Sequence, residues 1–329
     1  LPGDLSQLLL GLDEVGFDAL AQRIDAIYHN GALVNFVYSY REHKAANVLG
    51  TREILRLAAL GQTRGTAPTT VHFISTLSVL HSGQHDHGAL YPYKENADLD
   101  ALDLPFGGYA QSKWVGERLV MAAMARGIPG TIFRPGLVSG DSKNGAWNTA
   151  DMMSTMALAC AMSGAAPDLD IPVDIVPVDF VSRAIVTLAG RPASWGHAFH
   201  LSNPHPAPYG DVLGWLAELG MPLQIVPFEQ WRAKIMALAM AAGAQSRAED
   251  WNPFLPLLEE VTAGQIYMPA IDCKNTVTAL AAAAEESAEA ALLCPPVNAR
   301  LLATYLDYYQ KQGLLAGARM INTPLPGKF

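Results

Sequence analysis

The sequence predicts an α/β fold, a parallel sheet covered by helices, followed by a smaller and mostly helical portion. Short β-branched or aromatic runs alternate with helical stretches at intervals of about 30–40 residues through the first half. That rhythm suits parallel strands, because each crossover has to carry a helix. Half of the 329 residues are hydrophobic and 16% are charged, which is enough apolar material for a sizeable core. After Asn203 the character changes to a proline-rich turn and then to helical, alanine-rich sequence.

Taken in order, residues 16–26 have helical spacing and lead into an apolar strand at 25–29, broken by Asn30-Gly31-Ala32. A helical stretch begins at 39 and runs on to about 60. Residues 70–74 are a β-rich run ending at Ser75-Thr76. From 81 to 108 glycine, proline, aspartate and histidine predict a loop, and a helix follows from 109 to 126, closed by Gly127 and Pro129. Residues 130–133 form a strand terminated by Arg134-Pro135-Gly136. A helix at 152–164, an extended segment at 174–178, a helix to 188 and a strand at 197–201 complete this part. Further helices are expected at 209–219, 229–242, 276–293 and 298–312, and the domain boundary is placed at 203, giving domains 1–203 and 204–329.

Composition excludes several classes. Lys and Arg number 22 against 31 Asp and Glu, a net charge of −9 with no basic stretch, which argues against nucleic acid as a partner. Cys160, Cys273 and Cys294 are too scattered for a disulfide framework or a metal knuckle and suit a reducing cytosol. No apolar run reaches the ~20 residues that span a bilayer, so a cytoplasmic protein without membrane contact is expected. His81, His85 and His87 lack supporting carboxylates or cysteines, so a solvated loop and no metal site is expected. Arg41, His43, Lys44, Arg52 and Arg56 are read as a solvated helix face.

The chemistry gathers at strand ends, where parallel sheets collect ligands. Tyr109 and Lys113 are four apart, so on a helix they share a face. A phenol ionises near pH ~10 and exchanges protons poorly at neutrality; a neighbouring ammonium favours the phenolate and makes it a usable acid or base. Thr76 could donate to the same substrate oxygen from another side, where charge develops as a carbonyl becomes an alkoxide. Gly31 and Gly136 permit close approach of backbone to a ligand. Taken singly, Thr76 reads equally as a cap, and Asn30-Gly31 as a plain turn.

Ser75-Thr76-x-Ser78-Val79, Tyr109-x-x-x-Lys113 and Arg134-Pro135-Gly136, in this order, resemble the extended short-chain dehydrogenase/reductases. Asp4-Leu5, Asn47-Val48-x-Gly50-Thr51 and Pro177-Val178-Asp179 fit the same pattern. More narrowly, residues 29–35, 73–79 and 108–117 look like the thioester reductase domains that terminate nonribosomal peptide and polyketide synthetases, with relatives in carboxylic acid and aminoadipate reductases. The resemblance implies a Rossmann-like doubly wound sheet with a smaller helical substrate domain. It implies NADPH as cofactor and, as partner, a phosphopantetheinyl carrier domain bearing an acyl or peptidyl thioester. Tyr109 would be the proton donor, Lys113 would tune it and hold the nicotinamide ribose, and Thr76 would bind the reacting carbonyl. Asp4 and Leu5 would lie near the adenine, and Asn30, Gly31 and Ala32 along the adenosine side. Pro135 and Gly136 would border the nicotinamide, Arg134 would be a further cofactor-binding residue, and Asn47 would support the lysine. The implied reaction is reductive release of the thioester as an aldehyde, or onward to the alcohol.

One departure stands out. The family opens with a strand and a Gly-x-x-Gly-x-x-Gly turn whose helix N-terminus receives the pyrophosphate, and no such motif occurs in this chain. The sequence therefore reads as lacking the N-terminal βαβα portion of the fold. Two alternatives stay open: another extended short-chain dehydrogenase/reductase, such as a nucleotide-sugar epimerase or dehydratase, and a non-catalytic binding module.

Overall fold

A computed structural model of the chain describes residues 1–63, 69–81, 92–243, 268–288 and 290–316. The chain forms two compact units, and both are discontinuous in sequence. The first comprises Leu1–Gly136, Arg183–Leu201 and Pro269–Leu292; the second comprises Leu137–Ser182, Ser202–Met268 and Leu293–Phe329. The single boundary expected at 203 is one of several crossings. Composition registers where the chain changes character, whereas contacts register where it returns.

The first unit is built on a four-stranded parallel sheet. Helix α1 (Glu14–Ala21) precedes β1 (Ala26–His29). Helix α2 (Tyr40–His43) continues through a π-helical segment, Lys44–Leu49, into α3 (Gly50–Thr63). Strand β2 (Thr70–Ile74), helix α4 (Gly108–Met124) and strand β3 (Gly130–Pro135) follow. The strand Ala198–Leu201 completes the order β1-β2-β3-(198–201), with every pairing parallel. β2 and β3 are almost continuously buried, as central parallel strands are, while β1 alternates at the edge. Phe17, Ile54, Leu57 and Val71 pack α1 and α3 against the sheet, and Phe73, Val120 and Ile132 do the same for α4.

The alternation therefore predicted the sheet, with local corrections. Arg134 and Pro135 belong to β3 and do not terminate it. The alanine-rich helix spans Lys274–Ser287 and stops at Ala288 in the left-handed region, so 290–293 are not helical. His85 and His87 lie outside the described residues. Among the described residues no cluster of potential metal ligands occurs, and no helix is long and apolar enough to cross a membrane.

The second unit is mostly helical, as expected. Met152–Ser163, Tyr209–Glu218, Phe228–Gly243 and Ala299–Lys311 are its main helices. Three two-stranded pairings, among them Leu137–Ser139 with Ile175–Pro177, are too short to leave a periodic signal. Its interior is apolar, and buried tyrosines find partners: Tyr305 Oη donates to the Gly140 carbonyl at 2.9 Å, and Tyr309 Oη meets Ser154 Oγ at 2.7 Å. An apolar cavity of about 360 Å³ lies within this unit, lined by Trp147, Met152, Met156, Tyr209 and Trp231, with Asp174 among its few polar residues. Burial pushes the Asp174 carboxyl up to about 6.

Candidate active site

Two glycines start α4 and set its position. Gly107 has φ 83°, a conformation that side chains resist. A Cβ on Gly108 would overlap the backbone of Ser39 and Tyr40, so only glycine lets α2 approach α4 this closely. The approach seats Tyr109 edge-on to Phe36, with ring centroids 5.6 Å apart, and beside His43 at 6.0 Å. Burial pushes the phenol up to about 12. The lowering expected from Lys113 is therefore not what this structure has; desolvation of the phenolate dominates.

Lys113 is 3% exposed. Its ammonium donates to the Ile74 carbonyl at 2.6 Å and sits 4.3 Å from the centre of the Phe73 ring. Burial lowers it to about 8, partly opposed by the Glu117 carboxylate one turn on. The lysine is thus fixed at the carboxyl end of β2, two residues before Thr76. His29, at the end of β1, donates from Nε2 to Thr51 Oγ1 at 2.9 Å, the threonine's own proton going to the Asn47 carbonyl, and is driven down to about 4 by burial and then by Lys113, so it is neutral at pH 7.

Thr76 serves as a cap: its Oγ1 accepts from the Ser78 N–H at 3.2 Å and lies 3.2 Å from Ser78 Oγ. Its side chain is half-buried at the strand end, next to the lysine. Ser75 points the other way and donates to Glu117 Oε2 at 2.5 Å. Glu117 also receives Arg134, Nη2 at 2.6 Å and Nε at 3.0 Å to Oε1, with both side chains fully buried. The remaining Arg134 nitrogen meets the Glu95 carbonyl at 3.3 Å and His200 Nε2 at 3.1 Å. Arg134, expected among the cofactor-binding residues, instead commits its guanidinium inside the unit, because as a central strand residue it faces α4. Glu95 extends this network, accepting the N–H groups of Asn275 and Thr276 at the start of the helix Lys274–Ser287.

Asn47 lies in the π-helical segment and is 2% exposed. Its carboxamide exchanges hydrogen bonds with the Leu33 backbone at 2.8 and 2.9 Å and donates to Ser112 Oγ at 2.9 Å. It ties the loop after β1 to the helix that carries Tyr109 and Lys113. In that loop Asn30 and Gly31 are exposed and Ala32 is half-buried. A Cβ on Gly31 would come within 2.7 Å of Leu5 Cδ1, so the Asp4-Leu5 turn and the Gly31 loop adjoin. Asp4 is exposed and accepts from the Ser6 hydroxyl and N–H, which hold its carboxyl below the usual range. Pro135 and Gly136 end β3, where the Gly136 N–H donates to the Leu201 carbonyl at 3.0 Å.

Because the strands are parallel, residues 30–32, 75–76 and 135–136 share one end of the sheet, and a buried cation stands among them. A dinucleotide fits this end: exposed glycine-bearing backbone follows β1, and a positively charged donor stands at β2. Sequence reasoning missed Ser75, Ser112, Glu117 and His43. Glu117 was legible as the residue four beyond Lys113 on the same face. His43 was misread as part of a solvated basic face; it is completely buried, while Arg52 and Arg56 do pair with Glu53 at the surface.

A model of an NAD-binding family described as Male sterility protein matches residues 1–185. A linear gramicidin synthase of Brevibacillus parabrevis is 36% identical over 95% of this chain, which spans 6% of that protein. The L-2-aminoadipate reductase large subunit of Penicillium chrysogenum is 33% identical over 98% of this chain and 24% of its own length. The chain thus spans a minor part of the curated relatives it matches. Among solved structures, the terminal R domain from the myxalamid PKS-NRPS biosynthetic pathway is 40% identical with a TM-score of 0.83, covering 97% of this chain and 76% of that one.

Proposed function

The chain belongs to the NAD-binding Male sterility protein family, among the terminal reductase domains of nonribosomal peptide and polyketide synthetases, and from that membership we propose NADPH-dependent reductive release of a carrier-bound acyl or peptidyl thioester as an aldehyde. The observation that carries the reading is the placement of Tyr109 and Lys113 one turn apart on α4, with the lysine ammonium anchored on the Ile74 carbonyl at the carboxyl end of β2.

When bound, the nicotinamide supplies a hydride to the thioester carbonyl carbon. Gly31, Ala32, Pro135, Gly136 and Lys113 are the residues that would hold the cofactor at this end, with Asp4 and Leu5 beside the Gly31 loop. Tyr109, kept protonated by burial, is the proton donor to the oxygen on which charge grows. The Thr76 hydroxyl gives a second hydrogen bond to that oxygen on exchanging its local partner Ser78. Lys113 remains charged below about pH 8 and stabilises the phenolate left after proton transfer. Collapse of the reduced adduct expels the pantetheine thiol and frees the aldehyde.

The apolar lining of the second unit's cavity supports an acyl or peptidyl chain over a nucleotide sugar, whose hydroxyls need polar partners. The test is NADPH oxidation by the full protein, offered acyl-pantetheine thioesters, free aldehydes and nucleotide sugars in parallel. Oxidation with thioester and release of thiol is the expected result; turnover of the nucleotide sugar alone would overturn the reading.

A further inference from the structure

His43 is fully buried, yet it reaches the structure's chemical centre. Its Nδ1 lies 2.9 Å from the Ser39 carbonyl, which can only accept, so Nδ1 carries a proton. In the neutral ring Nε2 is then a bare acceptor, and among the described residues it has no hydrogen-bond partner. Buried acceptors are normally satisfied, so an orphan of this kind calls for a reason. The rings packed on His43 are Tyr38, at 6.1 Å, and Tyr109, at 6.0 Å. Tyr38 is 43% exposed and finds its hydrogen bonds in solvent. Tyr109 is the half-buried one, and the Gly108 contact that seats it against α2 also presses it toward the imidazole. An apolar side chain would fill the space between two aromatic rings without leaving a buried acceptor unpaired.

We propose that His43 is a positioning residue for the proton donor: its anchored imidazole packs on the Tyr109 ring, and its Nε2, unpartnered among the described residues, accepts the phenolic hydrogen bond when the phenol turns toward it and gives it up to a substrate oxyanion. No covalent step is involved; the hydroxyl exchanges one acceptor for a better, charged one. The inference rests on the proposed function, since it needs Tyr109 to be the donor. The titratable groups around the imidazole are Glu42, its neighbour in the chain, Tyr38 beside it and Tyr109 on α4, with Lys113 one turn further along that helix.

The experiment compares His43→Leu, which keeps apolar volume, with His43→Gln, whose carboxamide restores a polar acceptor, in the full protein. Expected are a fall of about tenfold in kcat for His43→Leu with KM for NADPH within about twofold, and recovery by His43→Gln to within about threefold of wild type. A second readout needs no turnover: the phenolate absorbance titration of Tyr109, taken as the difference from Tyr109→Phe, moves to lower pH in His43→Leu, because the acceptor that favoured the neutral phenol is gone. Equal kcat in His43→Leu and His43→Gln, whether both unchanged or both reduced, overturns the inference, and so does an unmoved titration. If Tyr109→Phe itself retains full turnover, the functional reading has failed; if it is inactive while His43→Leu is normal, only the role of His43 has.

Discussion

Lys113 and Ile74 form the joint between α4 and the central sheet: the ammonium donates to the carbonyl of the last residue of β2 at 2.6 Å. The bond uses one of three ammonium protons and leaves the charge at the strand end, in surroundings dry enough to lower the lysine to about 8. Turnover that depends on the charged lysine is therefore present below about pH 8 and declines as pH rises through it. A pH profile of kcat with saturating NADPH checks this, and a flat profile to pH 10 would remove the lysine charge from the mechanism.

Tyr109→Phe deletes the proposed proton donor and keeps the ring contacts with Phe36 and His43. Turnover should fall by roughly 10²–10⁴-fold, the usual worth of a positioned acid, with the NADPH dissociation constant little changed. Cofactor fluorescence titration beside steady-state kinetics separates the two.

Glu117→Gln breaks a buried ion pair and leaves the Arg134 guanidinium without its counter-charge. Removing one partner of such a pair costs about 3–5 kcal/mol. A lowered urea midpoint with an unchanged m-value is the expected signature.

Gly108→Ala places a Cβ against the backbone of Ser39 and Tyr40, which cannot move as a side-chain tip can. Overpacking of this sort costs about 1–3 kcal/mol, and here the relief is to push α2 away from α4. Loss of turnover should exceed that in Gly210→Ala, a glycine with open space around it, measured on the same protein.

Three of the buried histidines make the chain acid-sensitive. His29 and His72 are lowered to about 4 and His200 to about 3, chiefly by burial, against an ordinary value of 6.5. The unfolded chain then binds more protons than the folded one below pH ~6.5, so stability is full above that point and is lost progressively toward pH 4. Thermal melts between pH 7 and 4.5 should show a steady fall in Tm.

The α/β class, the strands at 26–29, 70–74 and 130–135, and the Tyr109/Lys113 face were legible because each rests on local chemistry: β-branched runs, turn residues, and helical spacing. The π-helical turn at Lys44–Leu49 left no sequence signal, since it arises where Asn47 bonds the Leu33 backbone and Ser112, partners 14 and 65 residues away.

Residue types and spacing alone were enough to put Tyr109 and Lys113 on one helix and the turns after β1, β2 and β3 at one end of the sheet, because period and turn preference act over a few residues. Folding in three dimensions settled the environments. It buried Tyr109 so that its phenol rises instead of falling, committed Arg134 to Glu117, and turned His43 from a supposed surface cation into a neighbour of the tyrosine. Desolvation and hydrogen-bond partnership depend on what the rest of the chain brings alongside, and no local pattern records that.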